Sequence, residues 1–288
     1  MRFKHSWPAL ALLAGILLAQ PGFAAPQHVV SAFLCTDEYV FRLLPRERIA
    51  ALSYLAGDTN PVVSTIADRV RGIDLIRPSA ETVFARHPDL VVMYAGTNPH
   101  LREHLKAANI AVLDVPWAKS LADVRKITLM LGEKLGAVDK ARAMLAQMDA
   151  RLNAAHKAAP HPPIGTLIYE PNGYATAGGM SDELMRIAGL KNLAPSMGQT
   201  RLGTIAVESV VAAAPALLIL NGSHERAPAR ADAVLKHPAL AALKGHSLIT
   251  RANLTPLLCP GPWSAQTAQT FAKLGQRAAA LAKRAPAP

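Results

Sequence analysis

The chain is poor in cysteine, in aromatic residues and in acidic charge. Two cysteines in 288 residues exclude a disulfide scaffold and most zinc-ribbon arrangements. Aromatic residues make up 5% and charged residues 18%, against 51% hydrophobic. Such a chain can bury a large core and is too apolar to be disordered. Beyond Ala25 no stretch approaches the ~18 apolar residues of a membrane-spanning helix. Catalytic signatures are missing as well. There is no G-x-S-x-G elbow and no G-x-x-x-x-G-K-[ST] loop, and no G-x-G-x-x-G follows the first strand, so neither an enzyme nor a dinucleotide site is indicated. Gly178-Gly179 is a lone turn signal. Acidic residues number 20 against 31 basic, a formal charge of +11. That balance points to an acidic partner: nucleic acid, an anionic membrane or a small anionic ligand.

The first 25 residues narrow these choices. Arg2, Lys4 and His5 precede the apolar run Ala9–Ala19, and Pro21-Gly22-Phe23-Ala24-Ala25 follows. This order is that of a cleaved secretion signal. There is no twin arginine, so the general export route is expected. Leu34 before Cys35 is too large for a lipoprotein cleavage site, so a free periplasmic protein is expected. Removal of Arg2 and Lys4 leaves 29 basic against 20 acidic residues, or +9. Nucleic acid drops out as a partner on compartment alone.

The mature chain alternates strand-like and helix-like segments. Strands are expected at His28–Leu34, Ile49–Tyr54, Asp89–Tyr94 and Ile110–Val115. Helices are expected at Asp37–Leu44, Ser79–Arg86 and His100–Ala108. Val138, Ala141, Leu145, Met148, Leu152 and Ala155 then recur at steps of three and four, predicting one helix of ~23 residues and ~34 Å. Pro160-His161-Pro162-Pro163 ends it. The alternation resumes at Gly165–Glu170, Glu183–Ala188, Glu208–Ala213, Ala216–Leu220 and Ser247–Thr250, and a closing helix spans Ala265–Lys283. The pattern predicts an α/β protein with mainly parallel sheets. Its parts are a first lobe at 26–119, a helical bridge at 120–160 and a second lobe at 161–288. An internal repeat supports two lobes. Glu81 begins a helix–loop–strand unit through Pro88 and Leu90, and Glu208 begins another through Pro215 and Leu217, each pair 127 residues apart.

Two such lobes leave a cleft between the carboxyl ends of their strands. The residues expected there are Cys35, Thr36, Tyr94 and Trp117 from the first lobe. The second contributes Tyr169, Tyr174, Arg201, Cys259 and Trp263. In a chain this short of aromatics the concentration suggests a stacking surface for a large ligand; ordinary core packing is the competing reading. Each cysteine is expected in a strand-end loop facing the cleft, one from each lobe. A disulfide, a soft ligand pair for a metal and two buried free thiols all remain open. Arg201 and Arg251 suit the carboxylates of an anionic ligand or a plain solvated surface. His100 and His104, four apart on a helix, have the spacing of a metal pair, but nothing completes their shell. No metal site is assigned.

Leu34-Cys35-Thr36-Asp37, the stretch Glu81…Pro88-Asp89-Leu90-Val91, the long central helix and the stretch Glu208…Pro215 together resemble the class III periplasmic binding proteins. These serve ATP-driven importers of vitamin B12, ferric siderophores and haem. The resemblance spans essentially the whole mature chain. It implies two Rossmann-like lobes bridged by one long helix, with no intrinsic cofactor and no catalysis. The ligand it implies is an iron or cobalt chelate, and the partners are a permease dimer with its ATPase, met by a monomeric binding protein. It also implies that Glu81 and Glu208 dock onto permease arginines. Without the resemblance each would be an acidic residue in the first turn of its helix. The alternative function is a periplasmic zinc or other divalent-metal binding protein or metal chaperone, which would need the histidines or cysteines but not the glutamates.

Overall fold

The computed structural model describes residues 25–222 and 229–284. The expected secretion signal, Ser223 and His224 fall outside the described residues.

The first lobe contains β1 (Val29–Ser31), α1 (Leu34–Leu43), β2 (Ile49–Ser53), β3 (Leu75–Ile76), α2 (Ala80–Phe84), β4 (Leu90–Tyr94), α3 (Pro99–Ala107) and β5 (Ala111–Val115). Its five strands are all parallel, in the order β3-β2-β1-β4-β5. The inner strands are runs of Val, Leu and Ala because both faces are covered. Val30, Val91 and Met93 pack on one face with Leu101 and Leu105 of α3. Val29 and Val92 pack on the other with α1, as the period of two requires.

Two helices follow, α4 (Leu121–Lys134) and α5 (Val138–Lys157). The expected stripe is the buried face of α5: Ala141, Leu145, Met148, Leu152 and Ala155. At 20 residues the helix is ~30 Å long, a turn shorter than the stripe suggested. It packs between α4 and the closing helix.

The second lobe contains β6 (Ile164–Tyr169), β7 (Tyr174–Thr176), α6 (Gly179–Ile187), β8 (Leu190–Asn192), β9 (Leu202–Thr204), α7 (Val207–Ala213), β10 (Leu217–Leu220), β11 (Leu248–Thr250) and α8 (Ala265–Ala282). Four strands form a parallel sheet, β8-β6-β10-β11, and β7 and β9 form a separate antiparallel ribbon. Position for position the sheet repeats β2-β1-β4-β5 of the first lobe. The internal repeat is visible in the backbone too. His87 (φ 45°) and Ala214 (φ 41°), each just before the proline of its unit, both adopt the left-handed conformation. A non-glycine residue rarely does so, and here it occurs twice, 127 residues apart.

The start of α1 corrects one expectation. The predicted strand ran to Leu34, but the strand stops at Ser31 and Leu34 already begins the helix. The amides of Thr36 and Asp37 donate to the Phe33 carbonyl at 2.9 and 2.8 Å. The Thr36 hydroxyl donates to the same carbonyl at 2.8 Å and lies 2.7 Å from the Ser31 hydroxyl. Those bonds close a helical turn where the apolar pattern alone continued a strand. Cys35 and Thr36 therefore sit on a helix, not in a loop.

Candidate ligand cleft

A parallel sheet binds ligands outside the carboxyl ends of its strands, where the strand order reverses. In the first lobe that point lies between β1 and β4. Phe33 just after β1 and Tyr94 at the end of β4 stack there, ring centroids 5.2 Å apart at 24°. Trp117 just after β5 stands edge-on to Tyr94 at 5.2 Å and 86°. Tyr54 just after β2 carries the guanidinium of Arg77, which follows β3, 4.1 Å above its ring. In sheet order the strand ends thus read Arg77, Tyr54, Phe33, Tyr94, Trp117. Neighbouring strands are ~4.8 Å apart, so the row is ~19 Å long. Trp117 is 50% exposed and Tyr54 41%, while Tyr94 between them is buried. Burial pushes the Tyr94 phenol up to about 12, so it stays neutral and can donate a hydrogen bond at any physiological pH.

The same point of the second lobe is built differently. Extending the strand register sets Glu170 opposite Asn221 as Phe33 is opposite Tyr94. Here the pair is polar: the Asn221 side-chain amide donates to the Glu170 carboxylate at 2.8 Å. Next to it, a Cβ on Gly222 would lie 2.9 Å from an Arg251 nitrogen and 3.0 Å from Leu235. The backbone of residue 222 thus lies close beneath the Arg251 guanidinium. The β7–β9 ribbon adds Tyr174, 39% exposed, Leu202, 60% exposed, and the exposed Arg201 beside β9.

The lobes are covalently joined. Cys35 and Cys259 form a disulfide with Cα atoms 4.8 Å apart, which decides among the three readings of the cysteines. Around it the segment between β11 and α8 returns to the first lobe. The Thr255 hydroxyl donates to the Pro61 carbonyl at 2.6 Å and the Tyr39 hydroxyl to the Pro260 carbonyl at 3.3 Å. Trp263 donates its ring N–H to the Cys259 carbonyl at 2.9 Å and stands edge-on to Tyr39 at 4.8 Å.

Six of the nine residues expected in the cleft are buried: Tyr94 and the two bonded cysteines, 6%, 5% and 4% exposed, and three that serve the interior elsewhere. Thr36 has no exposed surface and its hydroxyl serves the start of α1. Tyr169 is fully buried and donates its hydroxyl to the Ile205 carbonyl at 2.8 Å; burial raises its phenol, with the Glu208 carboxylate adding to the effect. Trp263 is 5% exposed and belongs to the junction between lobes. Tyr94 and Trp117 gather with Phe33 in one cluster, whereas Tyr174 and Arg201 lie on the ribbon of the other lobe. Phe33, Tyr54 and Arg77 went unremarked in the sequence, because the first two looked like ordinary strand residues. The available signal was the recurrence of large side chains at successive strand ends.

Glu81 and Glu208 are both exposed, in the first turns of α2 and α7. His100 and His104 lie on α3, and His100 is 4.0 Å from the Glu103 carboxylate at an exposed site. Among the described residues no three His, Cys, Asp or Glu side chains gather as a metal site, and no helix is long and apolar enough to cross a membrane.

Residues 69–248 match the family described as periplasmic binding protein. The chain belongs to that family. No curated protein is similar in sequence, but solved structures of the family are similar in fold. One is the periplasmic heme-binding protein RhuT from Roseiflexus sp. RS-1, with 22% identity over 88% of this chain and 99% of that one and a TM-score of 0.69. Another is the periplasmic heme-binding protein HutB of Vibrio cholerae, with 18% identity over 85% and 97% and a TM-score of 0.70. The periplasmic vitamin B12 binding protein BtuF of Vibrio cholerae shares 15% identity over 88% and 99%, with a TM-score of 0.61.

Proposed function

We propose that this protein is the solute-binding component of an ABC importer and that its cleft takes an iron or cobalt chelate. The observation that carries the reading is the row of aromatic strand ends. A row of four rings, ~14 Å from Tyr54 to Trp117 at ~4.8 Å per strand, with Tyr54 and Trp117 exposed at its two ends, suits a large ligand with an apolar face better than a sugar, an amino acid or a bare ion. Arg77 at one end of the row and Arg201 and Arg251 on the opposite lobe suit an anionic chelate, for which guanidinium groups are the strongest partners. Haem-type ligands meet both requirements, ferric siderophores the second, and neutral corrinoids the first. The heme and vitamin B12 ligands of RhuT, HutB and BtuF fall in the same class. The disulfide holds the lobes at one edge, so capture would need little closure.

Export through the N-terminal signal, a monomeric state and the absence of a lipid anchor are parts of the same reading. Delivery would use Glu81 and Glu208, one on each lobe, against paired permease arginines. The test is a titration of the mature protein with haem, cobalamin, cobinamide, ferric hydroxamates and free divalent metals, followed by calorimetry. One chelate should bind at one per chain, and Trp117→Ala should weaken it at least tenfold. Binding of free divalent metal alone would replace this reading with that of a metal-binding protein. No binding to any of them would remove the ligand class.

A further inference from the structure

A second concavity, of about 230 Å³, lies where the first lobe, the bridge and the closing helix meet. No residue of the aromatic row lines it. Its polar wall is Arg42 at the end of α1, Thr65 and Arg69 from the segment after β2, Gln147 and Arg151 on α5, and Gln266 on α8. Met144, Pro262 and Trp263 supply the apolar part.

The charges there do not balance. Arg42 is satisfied: it lies 4.4 Å above Trp263, donates to the Thr65 hydroxyl at 2.9 Å and pairs with Glu38 one turn back. Glu38 is buried and already accepts from the amide and hydroxyl of Thr65 at 3.0 and 2.7 Å. Its carboxylate is fully used. Arg69 sits 5.0 Å from the Phe41 ring, and among the described residues neither it nor Arg151 has a carboxylate within 4 Å. Three guanidinium groups thus face one carboxylate. Arg69 and Arg151 both act to lower the pKa of Arg42, behind the larger effect of burial, as like charges in one cavity should. What the cavity offers is a set of N–H donors, two guanidinium forks and two side-chain amides, with no free acceptor charge. That is the donor set for an oxyanion.

We propose that this pocket is a binding site for one small multivalent oxyanion, inorganic phosphate or a short polycarboxylate, independent of the ligand in the cleft. The volume admits such an anion and is too small for a chelate of the size the cleft would take. Because its donors come from the first lobe, the bridge and α8, a bound anion would tie these parts together and stabilise the fold by mass action.

The experiment uses the mature protein without chelate, titrated with sodium phosphate and separately with citrate at ionic strength fixed by sodium chloride. Calorimetry should show one site, and the melting temperature should rise and saturate. The phosphate and citrate arms identify which oxyanion source the site prefers. The double change Arg69→Gln with Arg151→Gln should weaken binding at least tenfold, whereas Lys106→Gln with Lys191→Gln, at remote exposed positions, should leave it unchanged. Gln266→Glu places a carboxylate in the pocket and should abolish anion binding while raising the melting temperature in the absence of anion. Chelate affinity measured in parallel should be unaltered in every variant. A stabilisation that follows ionic strength alone, or one that survives the double arginine change, would overturn the proposal.

Discussion

At the ends of β1 and β4 the first lobe stacks Phe33 on Tyr94; at the matching ends of β6 and β10 the second sets Glu170 against Asn221. The strand order, the register and even the left-handed residue before each proline are shared. The first lobe adds β3 at one edge of its sheet and the second adds the β7–β9 ribbon, and the strand ends differ as well. A duplicated scaffold fixes where a cleft must form, because a parallel sheet places all its strand ends on one edge. It leaves the side chains at that edge freer to differ than those inside the sheet, although Tyr94 still packs into the core. One wall has become aromatic and the other polar, which suits a ligand with an apolar face and a charged rim.

The comparison predicts where the lobes should behave alike and where they should not. The largest effect is expected where they are alike. Changing Glu81 and Glu208 together to Ala should lower uptake in cells at least about a hundredfold, from two lost charge-assisted pairs. Chelate affinity should be unchanged, and each single change should be intermediate. Transport that survives the double change would mean that the lobes do not dock symmetrically. Next comes the covalent tie between the lobes. Replacing Cys35 and Cys259 by Ser should cost about 2–5 kcal/mol in denaturant unfolding, mainly by freeing the long loop between them in the unfolded chain.

A third effect belongs to the first lobe. Asp37 on α1 is buried and accepts from the amide of Ser53 at 3.1 Å and from its hydroxyl. Burial raises its pKa from 3.8 to about 8. The folded protein keeps a proton there that the unfolded chain releases above pH 3.8. Stability should therefore fall as pH rises from about 4 to about 8. Asp37→Asn should lack that slope, so its stability relative to the natural protein should increase with pH across the window. Urea melts at several pH values would show parallel curves if the carboxyl were in fact ionised in the fold.

The smallest effects should separate the two walls. Trp117→Ala should cost about 1.4–3 kcal/mol of chelate affinity, tenfold or more, as a stacking partner. Asn221→Ala should cost about 1 kcal/mol, the net worth of a partly solvated hydrogen bond. Equal losses would mean that the aromatic and polar walls do not divide the ligand between them.

The fold was largely legible because its signals are local. The α5 stripe, the alternation of strands and helices and the Glu…Pro…Leu repeat are periodicities that neighbouring residues carry. The strands left out of the sequence reading, β3, β7, β8 and β9, are two or three residues long. They exist because a neighbouring strand supplies hydrogen bonds, not because of their own pattern. The site was legible in part. Strand-end reasoning singled out Tyr94 and Trp117, which gather with Phe33, and left the bonding of the two cysteines open, but it gave Tyr169 the same role. Tyr169 aligns with Ala32 rather than with Phe33. That one-residue step on a pleated strand turns its ring into the core. Trp263 was misplaced for a related reason: its segment crosses back to the first lobe, where Tyr39, Arg42 and the disulfide enclose it.

The sequence by itself determined that this is an α/β chain of two related lobes on a long helix, since composition and periodicity are properties of adjacent residues. Only the tertiary structure decided which strand-end residues come together in each lobe, that the two cysteines are bonded, and that three arginines from distant segments share a pocket. Each of those facts depends on strand register and on the return of the chain after β11, which bring together residues that no local pattern connects.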